Sequence, residues 1–132
     1  MNNNLPQIIS SHQAYKISSS NEYILVDTRN NKSIYNSGSP KGSFRCEYDK
    51  DLKVFLSKIT EFNTENKKMV FFFDNFEHEN NQMDPFDSLV SFFPDKSQNY
   101  YRVADGVEGN DSGNGWIANG YPMEFLEIDL SN

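Results

Sequence analysis

An unbroken apolar run from Met69 to Phe73 is the strongest hydrophobic signal in the chain. The run follows two lysines and ends at Asp74, where an acidic, Asn-rich segment begins. A short continuous apolar run between polar residues is typical of a strand that is buried on both faces. We therefore predict a central strand over Lys68 to Phe73, whose three consecutive phenylalanines pack alternately on the two faces.

Two later segments have the apolar spacing of amphipathic helices. The first is predicted to begin at Asp49 or Asp51, and its apolar face consists of Leu52, Phe55, Leu56 and Ile59. In the second, Asp84 is the predicted N-cap, Pro85 is the first helical residue and Pro94 ends the helix. Its apolar stripe consists of Phe86, Leu89, Val90 and Phe93. A shorter helix is predicted to begin at Ser10 or Ser11.

The remaining segments predict strands separated by loops and short helical turns. The predicted strands are Ile8-Ile9, Tyr23 to Val26, Phe44 to Tyr48, Tyr100 to Val103 and an edge strand or packed tail from Phe125. Helical turns are predicted for Asn30 to Tyr35 and for Trp116 to Pro122, and loops for Ser37 to Gly42 and Asp105 to Gly115. Strands that alternate with helices indicate an α/β fold with a mostly parallel sheet and helices on both faces.

Length, charge and cysteine content narrow the function classes. A chain of 132 residues is expected to form one domain. The net charge of -7 argues against nucleic-acid binding, because an acidic surface repels phosphate backbones. No apolar run reaches membrane-spanning length, and no secretory signal is visible. Cys46 is the only cysteine, so we expect an intracellular protein without disulfides. Cytoplasm, mitochondrion and cilium remain open.

Four segments, in this order, resemble the motifs of rhodanese-like domains. The segments are Ile24 to Arg29, Tyr35 with Gly38 to Ser43, Met69 to Phe73, and Trp116 to Pro122. The first is similar to the family's strand ending in Leu-Asp-Val-Arg, and the last to its closing Trp, three residues, Gly, apolar residue and Pro. The resemblance covers about Ile8 to Glu124 within a single domain of residues 1–132. It implies the three-layer α/β sulfurtransferase fold.

The chain departs from the family at the reactive position. The family's nucleophilic cysteine directly follows the central strand, where this chain has Asp74, and no arginine closes the following loop. An aspartate cannot hold a sulfane sulfur, and the acidic loop repels anionic substrates. An inserted segment, Glu108 to Gly115, also precedes Trp116 and is interpreted as a flexible surface loop. The resemblance therefore implies a pseudoenzyme without a cofactor.

The segment after the central strand is the candidate interaction loop. It consists of Asp74, Asn75, Phe76, Glu77, His78, Glu79 and Asn80. An exposed aromatic residue among acidic ones, such as Phe76, is a plausible contact for a protein partner. We therefore expect an inactive interaction or structural module that is a subunit of a larger assembly. The chain itself is expected neither to bind nucleic acid nor to insert into a membrane.

Two enzyme-like or carrier alternatives remain open. The first is an enzyme with replaced chemistry, which uses a divalent ion bound by the carboxylates and the imidazole of the loop. The candidate ligands are Asp74, Glu77, His78, Glu79 and Asp84. The simpler structural interpretation is that these residues form a solvated surface. Asp74 could also act as a nucleophile in phosphoryl transfer, but the sequence has no phosphate-binding loop to support that role. In the second alternative, Cys46 carries sulfur, although a lone cysteine is more often a packed small side chain.

Three further features have structural interpretations. Asp27 and Arg29 are expected to form a local ion pair or to brace the central loop. Trp116 is expected to anchor the core. The tail from Phe125 to Leu130 alternates apolar and polar residues, so it is predicted to pack on its own domain or to add to a partner's sheet.

Overall fold

A parallel five-stranded sheet lies at the centre of the computed structural model, which describes residues 8–30, 38–73 and 85–124. In chain order the strands are β1 (Ile8–Ile9), β2 (Tyr23–Asp27), β3 (Ser39–Pro40), β4 (Phe44–Arg45), β5 (Lys68–Phe72), β6 (Tyr100–Val103) and β7 (Met123–Glu124). The central sheet has the order β1-β6-β5-β2-β4, and each neighbouring pair is parallel. Strand β5 is therefore central, as the apolar run predicts.

Four α-helices and a short 3-10 helix lie in the described ranges. They are α1 (Ser11–Ile17), α2 (Leu52–Phe62), α3 (Pro85–Phe92), the 3-10 helix Lys96–Asn99 and α4 (Gly115–Ala118). Ser10 and Gln13 form a capping box at the start of α1. The side chain of Asp51 accepts hydrogen bonds from two backbone N–H groups at the start of α2. Both of these helix starts agree with the sequence predictions.

The helices cover both faces of the sheet and create two separate cores. On one face, α2 and α3 pack against Phe71 and Phe73. On the other face, α1 and α4 pack against Phe72, and Trp116 is one of the largest fully buried side chains. The structure thus confirms the three-layer α/β arrangement, the alternation of the phenylalanines and the core role of Trp116.

The predicted loop from Ser37 to Gly42 is wrong in part, because Ser39–Pro40 forms strand β3. This strand pairs antiparallel with β7, in the register Ser39 to Glu124 and Pro40 to Met123. The local composition of Ser, Gly and Pro favours a turn, and the pairing partner lies far away along the chain. Gly42, with φ +84°, turns the chain from β3 towards β4.

Other boundaries differ only slightly from the predictions. The strand predicted from Phe44 to Tyr48 is limited to Phe44–Arg45, and Gly120 ends the last helical turn with φ +79°. Among the helices of the described ranges, the longest has 11 residues, and none has the length and apolar character needed to cross a membrane. The predictions for most of Asn30 to Tyr35, for Asp84 and for the tail from Phe125 lie outside the described residues.

Candidate functional site

Strands β2 and β5 are neighbours, and the chain leaves their carboxyl ends in opposite directions. After β2 the next strand of the central sheet is β4, on one side, whereas after β5 it is β6, on the other side. In open α/β sheets this divergence marks the crevice in which ligands bind. The sequence places Asp74 next to the same crevice, so the carboxyl ends of β2 and β5 define the candidate site.

A buried ion pair lies at the end of β2. The Arg29 guanidinium grips the Asp27 carboxylate with two hydrogen bonds, of 3.0 Å from Nε to Oδ1 and 2.8 Å from Nη2 to Oδ2. The backbone N–H of Arg29 also donates to Asp27 Oδ1. The Asp27 side chain is fully buried, and that of Arg29 is 1% exposed. The predicted local ion pair is confirmed, and its two-pronged geometry is the strong form of such a contact.

The ion pair also connects β2 to the strand that follows it. Arg29 Nη2 donates to the carbonyl oxygen of Gly38 at 2.6 Å, and the Ser39 hydroxyl donates to Asp27 Oδ2 at 2.7 Å. The other terminal nitrogen of the guanidinium group, Arg29 Nη1, lies 3.7 Å from the carboxylate oxygen Oε2 of Glu108. Acceptors from β2, from the residue before β3 and from the inserted segment thus surround the guanidinium. Its positive charge is balanced from within the chain.

The end of β5 is attached to β2 beyond the regular sheet pairing. Both the backbone N–H and the hydroxyl of Thr28 donate to the carbonyl oxygen of Phe72, at 2.9 and 2.8 Å. The next residue, Phe73, is buried, and the Arg102 guanidinium lies 5.9 Å from the centre of its ring. The chain therefore reaches Asp74 from a firmly held strand end. The candidate interaction loop, Asp74 to Asn80, lies outside the described residues.

A second buried carboxylate, Asp105, lies just after β6 at the same edge of the sheet. Its oxygens accept hydrogen bonds from the N–H and the hydroxyl of Ser11, at 2.8 and 2.7 Å, and from the N–H of Gly115 at 2.9 Å. Burial raises the pKa of Asp105, but these hydrogen bonds outweigh burial and hold the pKa below its ordinary value. Asp105 thereby anchors the inserted segment to the start of α1.

The inserted segment is exposed as predicted, but its two ends are held together. Gly115 has φ +86°, and a Cβ atom there would overlap the backbone of Gly109, so only glycine fits. Within the segment, Asn110 and Gly113 exchange backbone hydrogen bonds. The segment is a closed surface loop whose base is fixed by Asp105. The sequence interpretation missed this role of Asp105, although its position just after a strand was an available signal.

Cys46 lies directly after β4 and belongs to the core. Its side chain is 7% exposed, and its backbone N–H donates to the carbonyl oxygen of Asp27 at 3.0 Å. Burial raises the pKa of the thiol, while Lys58 lowers it and Asp49 raises it further. A thiol with a raised pKa stays protonated at neutral pH and is a poor nucleophile. This geometry agrees with the interpretation of Cys46 as a packed small side chain.

The alternative metal site, formed by residues between Asp74 and Asp84, falls outside the described residues. Among the residues that the structure describes, no group of three or more His, Cys, Asp or Glu side chains is arranged to hold a metal ion. The described part of the candidate site therefore contains an ion pair, hydroxyl groups and aromatic rings, without an accessible nucleophile.

Comparisons with known proteins show the fold alone. No protein-family model matches the chain, and no curated protein matches it. The chain is similar in structure to Rv0390 from M. tuberculosis, with a TM-score of 0.66 and 19% identity over 90% of this chain and 97% of that one. It is also similar to RPA3614 from Rhodopseudomonas palustris CGA009, a protein of unknown function described as a possible tyrosine phosphatase. That match has a TM-score of 0.55 and 18% identity over 89% of this chain and 83% of the other.

Proposed function

We propose that the chain is a catalytically inactive rhodanese-like domain that acts as a protein-interaction or structural module within a larger assembly. The observation that carries this proposal is the position of the only thiol. Cys46 is buried beside β2, whereas the residue that follows the central strand is Asp74. The chain therefore has no thiol at position 74, where rhodanese-like enzymes have their nucleophilic cysteine.

The chemistry of related folds requires groups that this site does not offer. Sulfur transfer needs a thiolate stabilised by dipoles or cations, and a cysteine-based phosphatase needs a thiolate beside a cationic phosphate site. The description of RPA3614 as a possible tyrosine phosphatase therefore does not transfer readily to this chain. Of the cations at the described edge, Arg29 is engaged by Asp27, and Arg102 lies over the Phe73 ring. Neither arrangement resembles an open anion site.

The same geometry favours a role in binding a protein. The segment from Asp74 to Asn80 follows the end of β5, which Thr28 attaches to β2, and loops on rigid scaffolds commonly carry recognition residues. Phe76 is the aromatic residue of this segment and has acidic neighbours in the sequence. We propose Phe76 as an anchor for a partner protein and the acidic residues as its polar rim.

The alternatives from the sequence remain predictions that the described contacts do not favour. A metal-dependent enzyme would bind a stoichiometric divalent ion that is lost in Asp74→Ala. A sulfur carrier would show a persulfide on Cys46 by mass spectrometry after treatment with a sulfur donor. The raised thiol pKa opposes the second alternative.

The proposal is tested by the native size of the protein in a gentle extract of its own cells. We expect an apparent mass far above the 15.3 kDa of the chain, and a shift towards the free chain in Phe76→Ala. Phe92→Ala is the matched control, because Phe92 is 66% exposed at the C-terminal end of α3 and does not belong to the candidate loop. Migration of the wild type as a free chain would contradict the proposal, as would equal migration of the two variants.

A further inference from the structure

Strand β4 forms one edge of the central sheet, and its outer side is not paired with any strand among the described residues. Its inner side continues to bond β2 beyond the short strand itself. Cys46 and Tyr48 donate their N–H groups to the carbonyl oxygens of Asp27 and Thr28, at 3.0 Å each. Because backbone groups of an extended chain alternate between its two sides, the N–H and C=O groups of Arg45 and Glu47 point outward.

An open groove lies beside this outer edge. It has a volume of about 500 Å³ and is lined by Phe44, Arg45, Glu47, Lys58, Glu61 and Phe62, together with Cys46. The rings of Phe44 and Phe62 stack with their centres 3.6 Å apart, and Phe62 is 44% exposed. The groove thus combines an apolar surface with charges of both signs. An unpaired edge of this kind is a template for another strand.

The two charged residues of the edge segment from Phe44 to Tyr48, Arg45 and Glu47, are placed so that the segment can pair with a second copy of itself. The side chains of Phe44, Cys46 and Tyr48 pack against the core on the α2 and α3 face, so Arg45 and Glu47 share the opposite face. If two β4 strands pair antiparallel around Cys46, each Arg45 lies directly opposite Glu47 of the second copy. These two residues also hold the outward backbone groups, so the same register forms the hydrogen-bonded pairs.

The alternative registers are less favourable. A parallel pairing in register would place Arg45 opposite Arg45 and Glu47 opposite Glu47, and like charges at opposed positions are destabilising. Within the described residues, neither side chain forms an ion pair in its own chain. Charges commonly protect a sheet edge from association, but an Arg and a Glu two residues apart attract each other across a two-fold axis.

We propose that the segment from Phe44 to Tyr48, which is β4 with the three residues after it, is the interface of a two-fold symmetric homodimer. The two copies of this segment pair antiparallel around Cys46 and join the two sheets. The proposal concerns a different edge from the candidate interaction loop and does not depend on the proposed function. The interface is a short strand edge, smaller than the roughly 1,600 Å² of a standard complex. The net charge of -7 on each chain also opposes association, so the dimer is weak.

The proposal is tested by sedimentation equilibrium of the purified chain over a range of concentrations, with a reductant present to exclude a disulfide between the two Cys46 residues. We expect the average mass to rise from 15.3 kDa towards twice that value as the concentration reaches the millimolar range. Arg45→Glu and Glu47→Arg each convert both opposite-charge pairs into like-charge pairs. Each is expected to weaken association by about tenfold, and the double reversal is expected to restore it.

Two matched controls separate the specific pairs from the net charge. Lys16→Glu and Glu22→Arg change the net charge by the same amounts at exposed positions away from β4, and they should leave association nearly unchanged. Circular dichroism confirms that each variant is folded. A wild-type chain that stays at 15.3 kDa throughout overturns the proposal without any variant. Association that is equally strong in the single reversals overturns it as well.

Discussion

Two aspartates are buried at the carboxyl edge of the sheet, and the chain stabilises them in different ways. Asp27 is paired with a cation, the equally buried Arg29. Asp105 is held instead by two backbone N–H groups and the Ser11 hydroxyl. Both arrangements satisfy a buried carboxylate. They differ in the effect of losing one partner. Loss of Arg29 leaves a buried charge without its counter-charge, whereas loss of one donor to Asp105 leaves the other hydrogen bonds in place.

The two arrangements also share a feature, because both carboxylates form hydrogen bonds within the chain. In enzymes of this architecture, polar groups at the carboxyl edge are aimed at a ligand. Here the Asp27 and Asp105 carboxylates are directed at the chain itself, where one connects β2 to β3 and the other connects β6 to α1 and α4. At this edge the two carboxylates therefore stabilise the fold.

The largest effect is expected from breaking the ion pair. Arg29→Met leaves the Asp27 carboxylate buried without its cation, so we expect a loss of about 3–5 kcal/mol in the free energy of unfolding, measured by chemical denaturation. The double variant with Asp27→Leu removes both charges and should recover a substantial part of this loss. Lys68→Met is a control, because that ammonium only contacts the Tyr23 ring at 5.5 Å. It should cost about 0.5–1 kcal/mol.

The ion-pair interpretation makes the double variant decisive. If Arg29→Met costs no more than Lys68→Met, or if the double variant is no more stable than the single one, the pair does not have the role assigned to it.

A smaller effect is expected at Asp105, and it depends on pH. Asp105→Asn keeps one acceptor oxygen and should cost about 1–2 kcal/mol at neutral pH. Because the folded-state pKa of Asp105 lies below its unfolded value, of about 3.9, the carboxylate stabilises the fold above that value. This contribution is lost as the pH falls through the folded-state pKa. The stability difference between wild type and variant should therefore narrow in acid, and a difference that widens would refute the assignment.

The sequence predicted those parts of the fold that depend on local pattern. The apolar run of β5, the spacing of α2 and the cap at Asp51 are signals within a few residues, and each agrees with the structure. The strand at Ser39 and the role of Asp105 depend on distant partners. Asp105 bonds Ser11 across 94 positions of sequence, and no local propensity reports such a pairing.

The candidate site was predictable to the same extent. The ion pair of Asp27 and Arg29 could be predicted because the two residues are two positions apart at the end of a recognisable strand. The hydroxyl of Ser39, which completes that pair, depends on the β3 pairing and was missed. The segment from Asp74 to Asn80 lies outside the described residues, so its role rests on sequence and on the geometry of the strand that precedes it.

The central proposal is that the chain is a rhodanese-like domain without sulfurtransferase activity. It is tested most directly by an assay of sulfur transfer from thiosulfate to a thiol or cyanide acceptor. The assay compares the purified wild type with Cys46→Ser and Asp74→Ala, and mass spectrometry follows the thiol. We predict no turnover above the background in any of the three and an unmodified Cys46, because the thiol is buried with a raised pKa. Turnover by the wild type that disappears in either variant would contradict the account.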